Sequence, residues 1–161
     1  VGDYYQHSVS ATNNTGKPFK NKDKDISYND FVTELKRLKF DIDEDTLSKS
    51  RRCSKDVCNF VKEKLGINIE SAEINTGKVK WVAKDQVETI LQNPKITKLV
   101  YNDASSYSFE SMNWSYSKGD TVDTACVILT EKFEQLDRDE FSIAGISQQT
   151  INKLYVAMTR S

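Results

Sequence analysis

The side chains best suited to chemistry in this sequence are those that handle phosphate. Arg52 lies in Leu47-Ser48-Lys49-Ser50-Arg51-Arg52-Cys53-Ser54, and Arg160 ends the run Leu154-Tyr155-Val156-Ala157-Met158-Thr159-Arg160. A guanidinium is planar, stays charged and can grip two phosphate oxygens at once. Ser117-Lys118-Gly119 adds a hydroxyl, a cation and backbone N–H groups, all able to donate to phosphate. Gln6, in Gly2-Asp3-Tyr4-Tyr5-Gln6, has an amide that both donates and accepts. Trp114 could stack a nucleobase. Arg52, Gln6, Trp114 and Arg160 each have an ordinary alternative: a surface Arg pair before a helix, a polar turn after a strand, a core Trp, and an Arg that complements a helix dipole.

These positions need elements to hold them. Ser27 and Asp30 form a capping-box-like pair ahead of Phe31, Leu35 and Leu38, which recur at helical spacing. Ser54 is a natural N-cap for a second helix with the stripe Val57, Phe60, Val61 and Leu65, and Gly66 can end it. Residues 46–50 read as extended. Residues 67–83 alternate like strands, with Thr76-Gly77 as a hairpin turn. A short helix over 84–92 stops before Pro94. Strands are expected at 96–101, 111–115 and 125–129, and a last helix from Gln148 carries Ile151, Leu154, Tyr155 and Met158 on one face. Residues 8–25 are polar and read as a surface loop. Helices alternating with short buried strands predict an α/β fold with a mostly parallel sheet.

Composition narrows the function. The chain has 161 residues, enough for one domain with a core of its own. Its 23 Lys and Arg against 24 Asp and Glu leave a net charge of −1, so any nucleic-acid contact must use a local cationic groove. No run approaches the ~20 apolar residues that a membrane span needs, so no membrane partner is expected. Cys53 and Cys58 are separated by four residues, and the single histidine is His7. That set forms neither a zinc site nor a Ser-His-Asp triad, and reduced thiols in a cytoplasmic protein are the simpler reading. Asn75-Thr76-Gly77-Lys78 contains Gly-Lys but lacks the upstream Gly and following Ser or Thr of a P-loop.

Four short runs occur in one order: Gly2-Asp3-Tyr4-Tyr5-Gln6, the segment around Arg52, Ser117-Lys118-Gly119 leading into the apolar run 125–129, and Leu154 to Arg160. Together they resemble motifs of UvrD/Rep-like superfamily-1 DNA helicases. The resemblance implies a RecA-like parallel sheet sandwiched by helices. Residues 1–25 would be a motif from the end of a first RecA-like domain plus a linker. Residues 26–161 would form the second RecA-like domain, with a small insertion region at 66–111. The chain opens inside one motif and closes inside another, which implies a piece of a longer protein.

Residue by residue, the resemblance implies that Gln6 senses the γ-phosphate and attacking water of ATP, that Arg52 contacts nucleotide phosphates, and that Arg160 is the arginine finger. Gln6 and Arg160 would thus be catalytic. Thr121 falls where many relatives have a Glu that binds the nucleotide ribose. Ser117, Lys118, Gly119 and Trp114 would lie on the DNA track. The sequence departs from the family pattern at Arg51, where many relatives have Tyr, and at Asn113-Trp114-Ser115, where many have Thr-x-His. The implied cofactors are ATP and Mg²⁺, with the metal ligands in a missing first domain. The implied partners are that domain and single-stranded or forked DNA. The P-loop and acidic motif would precede Gly2, so the chain alone is expected to have negligible ATPase activity. The alternative is a non-catalytic RecA-like module that binds nucleic acid or protein in a repair or defence complex.

Overall fold

In a computed structural model, which describes residues 3–6, 26–43 and 49–161, the chain is a mixed helix-and-strand fold with small parallel sheets. The turn at Tyr4–Gln6 is a short 3-10 helix. Helix α1 spans Tyr28–Arg37 and starts with a full capping box: Ser27 Oγ accepts from the Asp30 N–H at 3.1 Å, and the Asp30 carboxylate accepts from the Ser27 N–H at 3.2 Å. Tyr4 packs edge-on against Tyr28 and beside Phe31, and its hydroxyl donates to the carbonyl of buried Ile26. The two early segments are thereby joined.

Strand β1, Lys49–Ser50, pairs in parallel with β2, Glu70–Ser71. Between them runs α2, Lys55–Leu65, capped by Ser54, whose Oγ accepts from the Val57 N–H at 3.3 Å. Gly66 ends the helix at φ +65°, a left-handed conformation in which a Cβ would be strained. Val57, Cys58, Val61 and Leu65 form its buried face, and each large aliphatic there contributes roughly 1.5–3 kcal/mol by leaving water. Cys53 and Cys58 flank the cap as its hydrophobic staple, both buried.

The main sheet has the order β4-β3-β5, all parallel. Central β3, Thr97–Val100, pairs Leu99 with Met112 of β4 (Met112–Asn113) and Thr97 with Ala125 of β5 (Ala125–Val127). Leu99 and Val100 are fully buried, as expected for a parallel strand covered on both faces. Helix α4, Gln148–Met158, is capped by Ser147 and buries residues around most of its circumference, including Ile151, Leu154, Tyr155, Val156 and Ala157. A helix apolar on more than one side belongs inside the fold. Trp114, Phe133, Leu136, Leu99 and Leu154 meet at the centre of the core.

One expectation needs correction. Residues 76–83 form no hairpin: the described strand in this region is β2 alone, and Thr76-Gly77 leads into an extended run without strand pairing. Gly77 comes close to the Ser54 side chain instead, and the Val79 N–H donates to the Asp56 carboxylate at 2.6 Å. That bond ties the run to the first turn of α2 rather than to a partner strand. Within 66–111, β3 is the central strand of the main sheet. The short helix expected over 84–92 is present as a 3-10 turn, Lys84–Gln86, continuing into α3, Val87–Gln92. The expected loop at 8–25 lies outside the described residues, as do 46–48 of the run expected to be extended.

A candidate phosphate-binding site

Arg52 follows β1 and precedes the cap of α2, so it projects from a strand-to-helix junction. Its Nη1 donates to the Asp120 carbonyl at 3.0 Å and to Thr121 Oγ1 at 3.2 Å. Its Nε is buried with no hydrogen-bond partner among the described residues. Arg160 arrives from the other direction, just past the end of α4. Its Nε donates to the Val156 carbonyl at 2.7 Å, Nη1 to the Ser117 carbonyl at 3.2 Å and more weakly to the Asp120 carbonyl at 3.5 Å, and Nη2 to Thr159 Oγ1 at 3.2 Å. The Arg160 carbonyl accepts from the Val122 N–H at 2.9 Å.

Two guanidiniums therefore converge on one backbone carbonyl, that of Asp120. Among the described residues neither makes an ion pair. Burial lowers the Arg160 pKa from its ordinary value, and the nearby Arg52 charge acts in the same sense; Cys53, Tyr155 and Asp120 oppose them. Cys53 fastens the pair from below: it follows Arg52 directly, and its Sγ donates to the Thr159 carbonyl, next to Arg160, at 3.8 Å.

The loop between β4 and β5 supplies the remaining residues. Trp114 is fully buried, its Nε1 donating to the Leu99 carbonyl at 3.0 Å, and its ring meets Tyr101 and Phe133. The expectation that it stacks a base is thus corrected: neither ring face is open, and Trp114 is a core residue. Ser117 is buried too, and its hydroxyl donates to the Trp114 carbonyl at 2.7 Å, so it shapes the loop instead of offering a free donor. Lys118 and Gly119 are exposed, and Gly119 sits at φ +94° at the turn. Thr121 is exposed beside Arg52.

Arg160 also differs from expectation. The resemblance implies an arginine finger there, yet the side chain has no exposed surface. Its donors are taken up by the Ser117 and Asp120 carbonyls of the overlying loop and by Val156 and Thr159 of its own helix end.

Gln6 is placed by Asp3. The Gln6 Nε2 donates to Asp3 Oδ2 at 2.8 Å, and Tyr155 of α4 donates its hydroxyl to the same oxygen at 3.3 Å. The Tyr5 N–H donates to Asp3 Oδ1 at 2.9 Å, and Asn152 Nδ2 donates to the Tyr4 carbonyl at 3.4 Å. Burial, with the Asp3 carboxylate next in effect, raises the Tyr155 pKa well above the usual phenol range. Gln6 and Lys118 line one small cleft of about 190 Å³, together with Tyr5, Ser115, Asn152 and Lys153.

The structure thus gathers Arg52, Arg160, Ser117 and Thr121 around one loop, and places Gln6 and Lys118 on a neighbouring cleft. Asp3, the Asp120 carbonyl and Lys153 went unnoticed in the sequence. Among the described residues no group of three or more His, Cys, Asp and Glu side chains could hold a metal ion, and no helix is long and apolar enough to cross a membrane. In comparisons with known proteins, no family model, curated protein or solved structure matches the chain.

Proposed function

We propose that the chain is the second RecA-like domain of a UvrD/Rep-like superfamily-1 DNA helicase or translocase, supplying one wall of an ATP cleft. The observation that carries this reading is the convergence of Arg52 and Arg160 on the Asp120 carbonyl without an acidic partner. Two such cations held together are mutually repulsive, and an anion between them would relieve that cost. Arg52 is the better placed to meet a phosphate, because it is half-buried whereas Arg160 has no exposed surface. Arg160 would reach one by exchanging its bonds to the Ser117 and Asp120 carbonyls for phosphate oxygens, as the 117–121 loop shifts. Gln6, held by Asp3, would orient the attacking water.

ATP fits the arginine pair as a polyphosphate. Mg²⁺ and the P-loop would come from the first RecA-like domain, and closure of the two domains on ATP would drive movement along single-stranded DNA. Purified alone, the chain is expected to turn over no ATP. Joined to a RecA-like first domain bearing a P-loop and acidic motif, it is expected to show DNA-stimulated turnover, with Arg160→Ala lowering the rate by ~10³-fold or more. Steady hydrolysis by the chain alone, abolished by Arg160→Ala, would sink this reading.

The complete burial of Arg160 favours a second reading, a non-catalytic RecA-like module in which Arg160 only bolts the loop to α4. That reading predicts that Arg160→Ala lowers stability and leaves the turnover of the joined protein unchanged per folded molecule.

A further inference from the structure

The main sheet has a free edge that opens onto an apolar groove. β5 ends the order β4-β3-β5 and pairs with β3 alone. The Thr124 carbonyl and the Ile128 N–H both bond to β3. Backbone groups alternate in direction along a strand, so those of Ala125 and Val127 face away from β3. Among the described residues they have no hydrogen-bond partner on that side. Ala125, Cys126 and Val127 all line the groove, whose volume is about 480 Å³. An unpaired strand edge is a template for another strand.

The other wall is the run after Thr76-Gly77. Among the described residues, the backbone groups of Lys78, Lys80, Trp81 and Val82 make no hydrogen bond, and the Val79 N–H goes to Asp56. Ile74, Trp81, Val82 and Val87 are half of the large apolar side chains exposed among the described residues, so exposed apolar surface is concentrated on this stretch and not scattered. Lys78 and Lys80 are the only charged residues that line the groove. Both are exposed, and neither has an ion-pair partner among the described residues.

Charge decides between occupants. Two copies of the chain joined through their β5 edges would set the lysines of one groove against those of the other, which is unfavourable. The same lysines attract carboxylates. We infer that the groove docks an extended segment of a partner protein, apolar at alternate positions and acidic between them. The segment adds as a strand to β5, sets its apolar side chains into the groove and pairs its Asp or Glu residues with Lys78 and Lys80. The groove contains neither Arg52 nor Arg160 and shares no residue with the cleft beside Gln6, so this docking site stands apart from the ATP reading.

The test is binding of a fluorescent peptide that alternates Val or Phe with Glu, beside a counterpart with Lys for each Glu, followed by amide hydrogen exchange of the chain. The Glu peptide is expected to bind several-fold tighter than the Lys peptide and to slow exchange at Ala125 and Val127. The double variant Lys78→Glu/Lys80→Glu should reverse the preference between the peptides. Trp81→Ala should weaken the Glu peptide several-fold, and Lys95→Gln, at an exposed lysine outside the groove, should leave it unchanged. All of these substitutions fall at exposed positions, and an unchanged far-ultraviolet spectrum checks that the fold is kept. Equal binding of the two peptides overturns the role of the lysines, and binding without protection of Ala125 and Val127 overturns strand addition. Binding of neither peptide overturns the docking site. Dimerisation of the chain in sedimentation, abolished by Trp81→Ala, overturns the acidic partner in favour of a second copy.

Discussion

The two sides of α2 are built in opposite ways. On one, Arg52, the loop 117–121, the end of α4 and residues 3–6 are cross-linked by hydrogen bonds that span up to 152 positions of sequence. On the other, residues 72–96 leave the body of the fold and return with few ties. Helix α3 buries none of its residues, and Trp81 is 52% exposed. Between this excursion and the body lies an apolar groove of about 480 Å³, lined by Val57, Phe60, Trp81, Val87, Val127 and Met158 among others. The polar side is cross-linked because most of its buried donors find acceptors, the Arg52 Nε being the exception. The apolar side has no such obligation, and its contacts can loosen without leaving a polar group stranded.

Substitutions should expose that asymmetry. Trp114→Ala is expected to have the largest effect, about 3–5 kcal/mol, because it empties the core beneath the loop and leaves the Leu99 carbonyl without its indole donor. Urea unfolding measures it. Arg160→Ala should follow at about 2–3 kcal/mol, since the loop carbonyls of Ser117 and Asp120 lose a charged donor. Faster hydrogen exchange at the Val122 amide, which donates to the Arg160 carbonyl, should accompany it. Trp81→Ala, by contrast, removes an exposed ring whose aromatic neighbour is Phe60 and should cost less than about 1 kcal/mol. If Trp81→Ala destabilised as much as Arg160→Ala, the contrast between the two sides would be wrong.

Alkaline pH sharpens the comparison further. Burial, with small contributions from Cys53, pushes the Cys58 thiol up to about 11. An acid whose folded pKa is raised holds its proton longer when folded. Stability from Cys58 is therefore complete below the ordinary thiol pKa and declines as pH rises from there toward 11. Burial raises the Tyr155 phenol in the same direction. Melting temperature should be flat with respect to these groups up to about pH 8.5 and fall beyond it, and Cys58→Ala should flatten part of that fall. A melting temperature that rises over this range would contradict the assignment.

Much of this was legible in local sequence. The caps Ser27 and Ser54, the stop at Gly66 and the stripe on α2 are short-range patterns, and the starts of α1 and α2 follow from them; the Ser147 cap of α4 is seen only in the structure. The strands at β3 and β5 were legible as apolar runs and β4 as a strand candidate, though each is shorter than its expected span because pairing in a parallel sheet ends where the neighbouring strand does. The hairpin at Thr76-Gly77 was misread. Alternation in 78–82 fits a strand, but the Val79 N–H is taken by Asp56, and this long-range contact has no local signal. The same limit applies to the site. Arginines near phosphate-friendly loops can be picked from residue type, whereas the burial of Arg160 and the placement of Gln6 by Asp3 depend on how the loop and α4 close over each other.

The most direct test of the central claim is titration of the isotopically labelled chain with ATP, read by amide NMR, for the parent and for Arg52→Ala. Binding between the two guanidiniums predicts concerted shifts at Cys53, Asp120, Thr121, Val122 and Arg160, strongly reduced in Arg52→Ala. Shifts confined to the apolar groove, or shifts around Asp120 that Arg52→Ala leaves intact, would contradict it.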